Sequence, residues 1–441
     1  MTCSRHHKGA SKMEKLTKRL WASFLLLGLM GQFAWTIENM YFNVFLYNTI
    51  STDPSYIAAM VAASAVVATL STLFMGSLSD RVGKRKVFIC GGYIIWGLST
   101  MAFGLINVQH AAAWFPTLNA VSTAAMMVVL MDCIMTFFGS TANDAAFNAF
   151  VTDVTNDKIR GKVESVLAVL PLVSMLIIFG GFDFMTKQGH WNQFFGIFGA
   201  LVTLTGLASI FLLKDSHVEA KKESFFKNLV AGFRPSVIRG NPALYLTLSA
   251  FALFSCAVQI FFPYLIIYMQ NYLLIENYAI VLGIVLLLAS LISVIGGRFI
   301  DKSGKLNFVL PAAAVMFIGL LGMFFVRGAA FVIVTGTIMM GGYMLVTAAL
   351  SASIRDFTPK DSVGEFQGIR MIFAVMLPMI IGPSIGAAVI KNSGNTYTDL
   401  GIVKSVPTPA IFLASAAALL LIIIPIIILK RRSKNENSVG R

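Results

Sequence analysis

Long uncharged apolar runs alternate with short polar connectors along almost the whole chain. Several runs exceed the roughly 18 residues that a helix needs to cross a bilayer. The pattern predicts twelve spans, at 20–47, 56–78, 87–106, 120–150, 163–186, 191–213, 242–270, 277–299, 306–326, 330–354, 366–390 and 408–429. Hydrocarbon offers no partner to an unpaired backbone group, so each span is expected to satisfy itself as a helix. A barrel would instead show short segments of alternating polarity. The expected fold is an all-α membrane protein of two six-helix bundles. Its parts are an N-tail (1–19), a first bundle (20–213), a linker (214–241), a second bundle (242–429) and a C-tail (430–441).

Composition supports this: 57% of the 441 residues are hydrophobic and 12% charged, against about 45–50% and about 25% in soluble domains. The net charge of +14 is a topology signal, because 29 of the 34 Lys and Arg residues fall in tails and loops on one side. The opposite loops hold Lys187, Arg327, Lys391 and Lys404, and Arg370 lies just inside span 11. The positive-inside rule then orients both termini to the cytoplasm of a cell-membrane protein. Nucleic acid is not an expected partner; the lipid bilayer and a small-molecule substrate are, for a chain acting as a monomer. The basic residues Arg5 to Arg19 before span 1 imitate a signal peptide, but the apolar run continues far past an h-region and is expected to be retained. Met1 and Met13 are both candidate starts.

In the linker, Phe225, Phe226, Leu229, Val230 and Phe233 cluster at helical spacing against Lys221, Lys222, Lys227 and Arg234. A short amphipathic helix on the inner leaflet fits that pattern, and so does a plain connector. Cys3, Cys90, Cys133 and Cys256 lie in separate elements, so neither a metal spacing nor a disulfide framework is expected. His6 and His7 lie in the tail, and His110, His190 and His217 in loops, without a nucleophile beside them. The chain is therefore not expected to be an enzyme or to carry a cofactor.

One segment occurs twice. Gly76-Ser-Leu-Ser-Asp80-Arg81-Val-Gly83-Lys84 returns as Gly297-Arg-Phe-Ile-Asp301-Lys302-Ser-Gly304-Lys305, each copy between two apolar runs. Duplicated halves are a signature of secondary transporters. With Lys84-Arg85-Lys86 at its basic end, the segment resembles the loop 2–3 signature of the major facilitator superfamily, repeated between spans 8 and 9. Asp153-Val-Thr155…Arg160-Gly161 also aligns with Asp356-Phe-Thr358…Val363-Gly364, although the later copy lacks the arginine. The resemblance covers essentially the whole chain and implies the major facilitator fold. On physical grounds Gly76 and Gly297 are expected where helices approach closely. Asp80 and Asp301 are expected against the starts of spans 5 and 11, near Arg160 or Arg355, as a cytoplasmic latch between the halves.

Carboxylates inside a membrane default to function. Glu38 in span 1 and Asp132 in span 4 lie at depth, while Asp144 and Asp183 are expected nearer to solvent. Gln32, Thr36, Asn39, Asn43 and Tyr47 form a polar stripe beside Glu38; Asp132, Thr136, Gly139 and Asn143 share a face of span 4. The 221-residue shift that aligns the repeats lays Gln259 over Glu38, with Ser255, Tyr264 and Tyr268 as further hydrogen-bonding groups. Trp35, Tyr41 and Phe42 are candidate stacking surfaces for a hydroxylated solute such as a sugar. Lys and Arg are missing at mid-depth, which disfavours polyanionic substrates. The carboxyls are candidates to carry a coupling proton, bind Na⁺, meet a cationic substrate or serve as hydrogen-bonded structural groups.

Gly31-Gln-Phe-Ala-Trp-Thr-Ile-Glu-Asn39 and Asn143-Asp-Ala-Ala-Phe-Asn-Ala-Phe-Val-Thr-Asp153 resemble the glycoside/pentoside/hexuronide–cation symporter and sucrose-carrier branches. The paired acids of a melibiose-type cation site are absent, since span 56–78 carries no charge. That favours proton over Na⁺ coupling. The expected function is proton-coupled transport of a neutral hydroxylated solute by alternating access; the alternative is efflux of hydrophobic or cationic compounds.

Overall fold

The computed structural model describes residues 17–155, 157–214, 233–359, 363–394, 396–399 and 402–439. All twelve expected spans are helices: α1 (Lys18–Ile50), α2 (Pro54–Val82), α3 (Arg85–Leu105), α4 (Ala120–Val154), α5 (Lys162–Gly181), α6 (Trp191–Leu212), α7 (Pro242–Asn271), α8 (Tyr278–Gly297), α9 (Lys305–Phe325), α10 (Ala329–Phe357), α11 (Gly368–Asn392) and α12 (Ala410–Arg432). Capping sets several of their ends. Asp53 accepts from the Ser55 N–H at 2.9 Å and Pro54 opens α2, a combination that satisfies orphan donors and fixes φ in the first turn. Asn119 caps α4 in the same way, through the Ser122 N–H.

The repeat has a backbone reason that its spacing alone does not state. Gly83 ends α2 with φ of 67°, and Gly304, with φ of 81°, ends the helix that continues α8 to Ser303, a region costly for any residue with a Cβ. The expected close approach at the other glycines is not found. A Cβ on Gly76 would meet Ala145 at an ordinary 3.7 Å, and one on Gly297 would meet nothing within 4 Å.

Arg19 at the start of α1 donates to the Leu212 carbonyl at 2.8 Å, and Arg432 of α12 lines a groove with Ile238 and Arg239 of the connector. The chain's two ends and its connector therefore share one end of the molecule, called here the basic end. Most of the linker segment expected to be amphipathic, including Lys221, Lys222, Phe225, Phe226, Lys227, Leu229 and Val230, lies outside the described residues. A short helix, Pro235–Gly240, follows it.

The two halves meet along α2 against α11 and α5 against α8. At the far end a hairpin of β1 (Thr396–Asp399) and β2 (Ile402–Ser405) pairs antiparallel between α11 and α12. The Tyr47 hydroxyl donates to its Ser405 carbonyl at 2.7 Å, so the hairpin of one half caps α1 of the other.

Candidate substrate and coupling site

Two helices leave regular α geometry where the chemistry lies. In α1, Ile37–Tyr41 forms a π-turn containing Glu38 and Asn39; in α4, Ser140–Phe147 forms a longer one containing Asn143 and Asp144. A π-turn inserts an extra residue into the helical spacing, re-aims side chains, and is frequent at functional sites. Asn39 is exposed while Thr36–Glu38 and Met40–Tyr47 are buried.

Glu38 is 8% exposed and Asp132 1% exposed. Thr136, one turn after Asp132, donates its hydroxyl to Glu38 Oε1 at 2.8 Å and so brings the two acids together across α1 and α4. Ser64 of α2 lies against Asp132. Glu38 Oε2, Asp132 Oδ1 and Asn43 Oδ1 have no hydrogen-bond partner among the described residues. Among the described residues, the charged neighbours of Glu38 are Asp132 and Asp144, both acids. Two buried carboxyls sharing one low-dielectric space cannot both remain anionic without a cation close by. The arrangement can therefore take up a proton, a metal cation or a cationic part of a substrate.

Around this pair the polar stripe is ordered by local hydrogen bonds. Asn39 donates to the Trp35 carbonyl at 2.8 Å and Asn43 to the Asn39 carbonyl at 2.9 Å. Asn143 Oδ1 sits 3.0 Å from the Tyr93 hydroxyl, which is 2.7 Å from the Leu27 carbonyl. Asn143 Nδ2 faces Asp144 Oδ1 at 3.4 Å. Gly31 makes this junction possible, because a Cβ there would stand 2.8 Å from both Asn143 Oδ1 and the Tyr93 hydroxyl. Gly31→Ala is expected to cost about 1–3 kcal/mol through overpacking; a thermal-unfolding scan in detergent that shows wild-type stability would contradict the close fit.

Other sequence candidates land elsewhere. Trp35 is half-buried against Trp96, with ring centroids 5.0 Å apart. Phe42 stacks on Phe103 at 3.8 Å and Tyr41 packs on Phe179 and Phe194, so both belong to the interior of the first half. From the second half, Gln259 is half-buried on α7 and backed by Gly382 of α11. The Tyr264 hydroxyl lies 2.9 Å from the Pro383 carbonyl and 3.2 Å from that of Pro54, which ties α7 to α11 and to α2. Tyr268 stacks on Tyr272 and meets Phe412 edge-on, fully buried. The Tyr264 hydroxyl is taken up by backbone carbonyls, while the Tyr268 hydroxyl is buried without a hydrogen-bond partner among the described residues.

The ion pairs that Asp80, Arg85 and Lys305 make among the described residues lie within each half. Asp80 pairs with Arg85 at the start of α3, and Arg85 Nε lies 3.1 Å from Asp153 Oδ2 at the end of α4. In the second half Lys305, at the start of α9, pairs with Asp356 at the end of α10 at 2.5 Å. A base at the start of the third helix of each half thus joins it to the fourth, although the repeat aligns Lys305 with Lys84 and not with Arg85. Arg160 donates to the Thr152 and Thr155 carbonyls at 3.1 and 3.2 Å and closes the end of α4. Arg81, Lys84 and Arg355 are exposed. The side chains of Asp301 and Lys302 lie outside those described. Arg85 is the buried centre of this network, and spacing alone does not distinguish it from its neighbours Lys84 and Lys86.

The far end carries a clasp that sequence spacing does not reveal. Asp183, expected near solvent, is 3% exposed. Its Oδ1 accepts from Tyr41 at 3.0 Å and from Tyr278 of the other half at 2.5 Å. Lys187 faces its Oδ2 at 3.1 Å, donates to the Glu276 carbonyl at 2.6 Å and lies 4.6 Å over the Tyr278 ring. Lys391 of α11 meets Asp53 Oδ1 at 2.9 Å. With Tyr47 and Tyr264, these contacts close the far end across the two halves.

Burial opposes ionisation of Asp53, but the Ser55 N–H and Lys391 outweigh it and hold the carboxyl below its ordinary range. A lowered value means the contribution is full above the usual carboxylate pKa of about 3.9 and lost as pH falls through the lower, folded-state value. Both partners are nearly half exposed, so the pair contributes about 0.5 kcal/mol at most. The stability difference between wild type and Lys391→Gln is expected to be constant from pH 7 to 5 and to vanish only below about pH 4. A difference that instead disappeared near neutrality in paired melting curves would contradict this.

The profile of the Major Facilitator Superfamily matches residues 24–383. The chain belongs to the major facilitator superfamily. It is a membrane transporter rather than an enzyme. The nucleoside transporter NupG has the same fold, with a TM-score of 0.69 at 12% identity over 94% of this chain and 99% of that one. The xylose transporter XylE from E. coli, in a partially occluded inward-open conformation, gives 0.63 at 12% identity over 91% and 97%. A bacterial homologue of the human lysosomal transporter Spinster, inward-facing and occupied, gives 0.68 at 13% identity over 95% and 98%. By sequence, Multidrug resistance protein 2 of Bacillus subtilis (strain 168) is 26% identical over 185 residues. That match spans 40% of this chain and 42% of the relative's length.

Proposed function

We propose that this facilitator carries a small neutral hydroxylated solute, a sugar or glycoside, across the cytoplasmic membrane by alternating access coupled to protons. The basic end faces the cytoplasm. The observation that carries this is the buried Glu38–Asp132 pair, with one unpartnered oxygen on each acid and acidic neighbours acting on Glu38. Asn39, Asn143 and Gln259 add amide groups suited to hydroxyls. The superfamily's mechanism is two halves alternating around a central site, and the far-end contacts supply the closure that such a cycle must break. Proton binding at the acids and solute binding beside them favour the same transition, which is coupling in the thermodynamic sense.

A second reading is export of hydrophobic cations. It draws on the same uncompensated acids and on the partial likeness to Multidrug resistance protein 2. Uptake by vesicles over a panel of solutes, under an imposed pH or Na⁺ gradient, separates the two. Accumulation of a neutral glycoside driven by the pH gradient supports the first. Extrusion of an ethidium-like cation without glycoside accumulation refutes it in favour of the second.

A further inference from the structure

A groove of about 410 Å³ opens at the basic end of the second half, lined by none of the residues around Glu38 and Asp132. It is lined by Ile238 and Arg239 of the short connector helix, by Pro242, Tyr245, Leu246 and Ser249 of α7, and by Ile428 and Arg432 of α12. Its walls are apolar and its two charged members are both arginines. Neither arginine has a carboxylate partner among the described residues, and both are exposed. Ser249 already donates to the Tyr245 carbonyl at 2.8 Å, so the groove's unsatisfied polarity is cationic.

The depth of the groove identifies its occupant. From Ala410 to Leu429 α12 carries no charge; Lys430, Arg431 and Arg432 follow at once, which places Arg432 where hydrocarbon gives way to headgroups. Ile424 is 58% exposed and Ile428 40% exposed, so the apolar wall continues onto the lipid-facing side of α12. We infer that this groove binds one anionic phospholipid, its phosphate held between Arg239 and Arg432 and an acyl chain laid along Leu246 and Ile428. Guanidinium groups match phosphate oxygens in paired hydrogen bonds, and basic pockets between helices at the inner leaflet are suited to such headgroups. A free phosphate would leave the apolar wall uncovered. A zwitterionic choline headgroup would bring a third cation to a site that already has two. The lipid would tie the connector between the halves to the end of α12.

The test uses the full-length protein in mild detergent, with native mass spectrometry and thermal shift. The probes are phosphatidylglycerol, phosphatidylcholine and inorganic phosphate. Wild type is expected to retain one phosphatidylglycerol and to be stabilised by it in preference to phosphatidylcholine, with no matching effect of phosphate. Arg239→Gln with Arg432→Gln is expected to weaken phosphatidylglycerol at least about tenfold, the size of one lost charged hydrogen bond. Arg327→Gln, at the opposite end, serves as the folded control and should keep wild-type binding. Each single variant is measured as well, in case the double variant does not fold. Equal stabilisation by inorganic phosphate or by phosphatidylcholine overturns the proposal, as does unchanged lipid retention in the folded single or double variants. None of these readouts depends on the transported solute.

Discussion

Glu38→Gln is expected to abolish gradient-driven accumulation while leaving solute exchange in place. Glutamine keeps the shape and can still accept from Thr136, but it cannot cycle between charged and neutral forms. If one proton accompanies each solute, a pH gradient of two units sustains about 100-fold accumulation, since each factor of ten corresponds to about 1.4 kcal/mol. The variant should fall to about onefold, and Asp132→Asn should do the same. Because Asp132 is almost fully buried and Thr136 ties its turn to Glu38, the two acids form one coupled unit, and the double variant should be no worse than either single one. Counterflow of labelled solute in proteoliposomes checks that binding survives. Wild-type accumulation by either variant would remove the pair from the coupling mechanism. Loss of exchange together with accumulation would place it in solute binding instead.

The second large effect is expected at the far-end clasp. Tyr278→Phe deletes a single hydroxyl, but that hydroxyl donates to a buried carboxylate across the two halves. A hydrogen bond to a charged group contributes about 1.5–3 kcal/mol. The variant should therefore shift the balance between far-end-closed and far-end-open states by about tenfold to 150-fold. Asp183→Ala should shift it further, because it removes the acceptor of the Tyr41 hydroxyl and the ion pair with the partly exposed Lys187 as well. The readout is labelling of a single cysteine placed by Asn39→Cys, in a background freed of the native cysteines, by an impermeant maleimide added at the far end. Faster labelling in both variants is the expected result; unchanged labelling would show that the clasp does not set the equilibrium.

The spans were legible because hydrocarbon leaves the backbone one solution, and a run of twenty apolar residues states it directly. The acids at 38 and 132 were legible for the converse reason: a charge within such a run has no cheap explanation. The π-turns were not legible, since Ile37–Tyr41 and Ser140–Phe147 contain no breaker to announce them. Asp183 was misplaced because distance from a span end is a poor guide to burial when a short helix folds back into the interface. Tyr264 and Tyr268 could be assigned polarity but not direction. The Asp80 partner was hidden among three adjacent bases, and only packing selects Arg85. The hairpin between α11 and α12 is set by pairing that a loop of Thr, Asp and Lys does not advertise.

The central claim is that the carboxyl pair couples protons to solute movement. Its most direct test is proton flux in proteoliposomes without an imposed gradient, started by adding a transported glycoside and followed with an interior pH dye. Wild type should acidify as solute enters, and Glu38→Gln and Asp132→Asn should admit solute with no pH change. Acidification of equal size in those variants, or solute entry without acidification in wild type, would contradict the account.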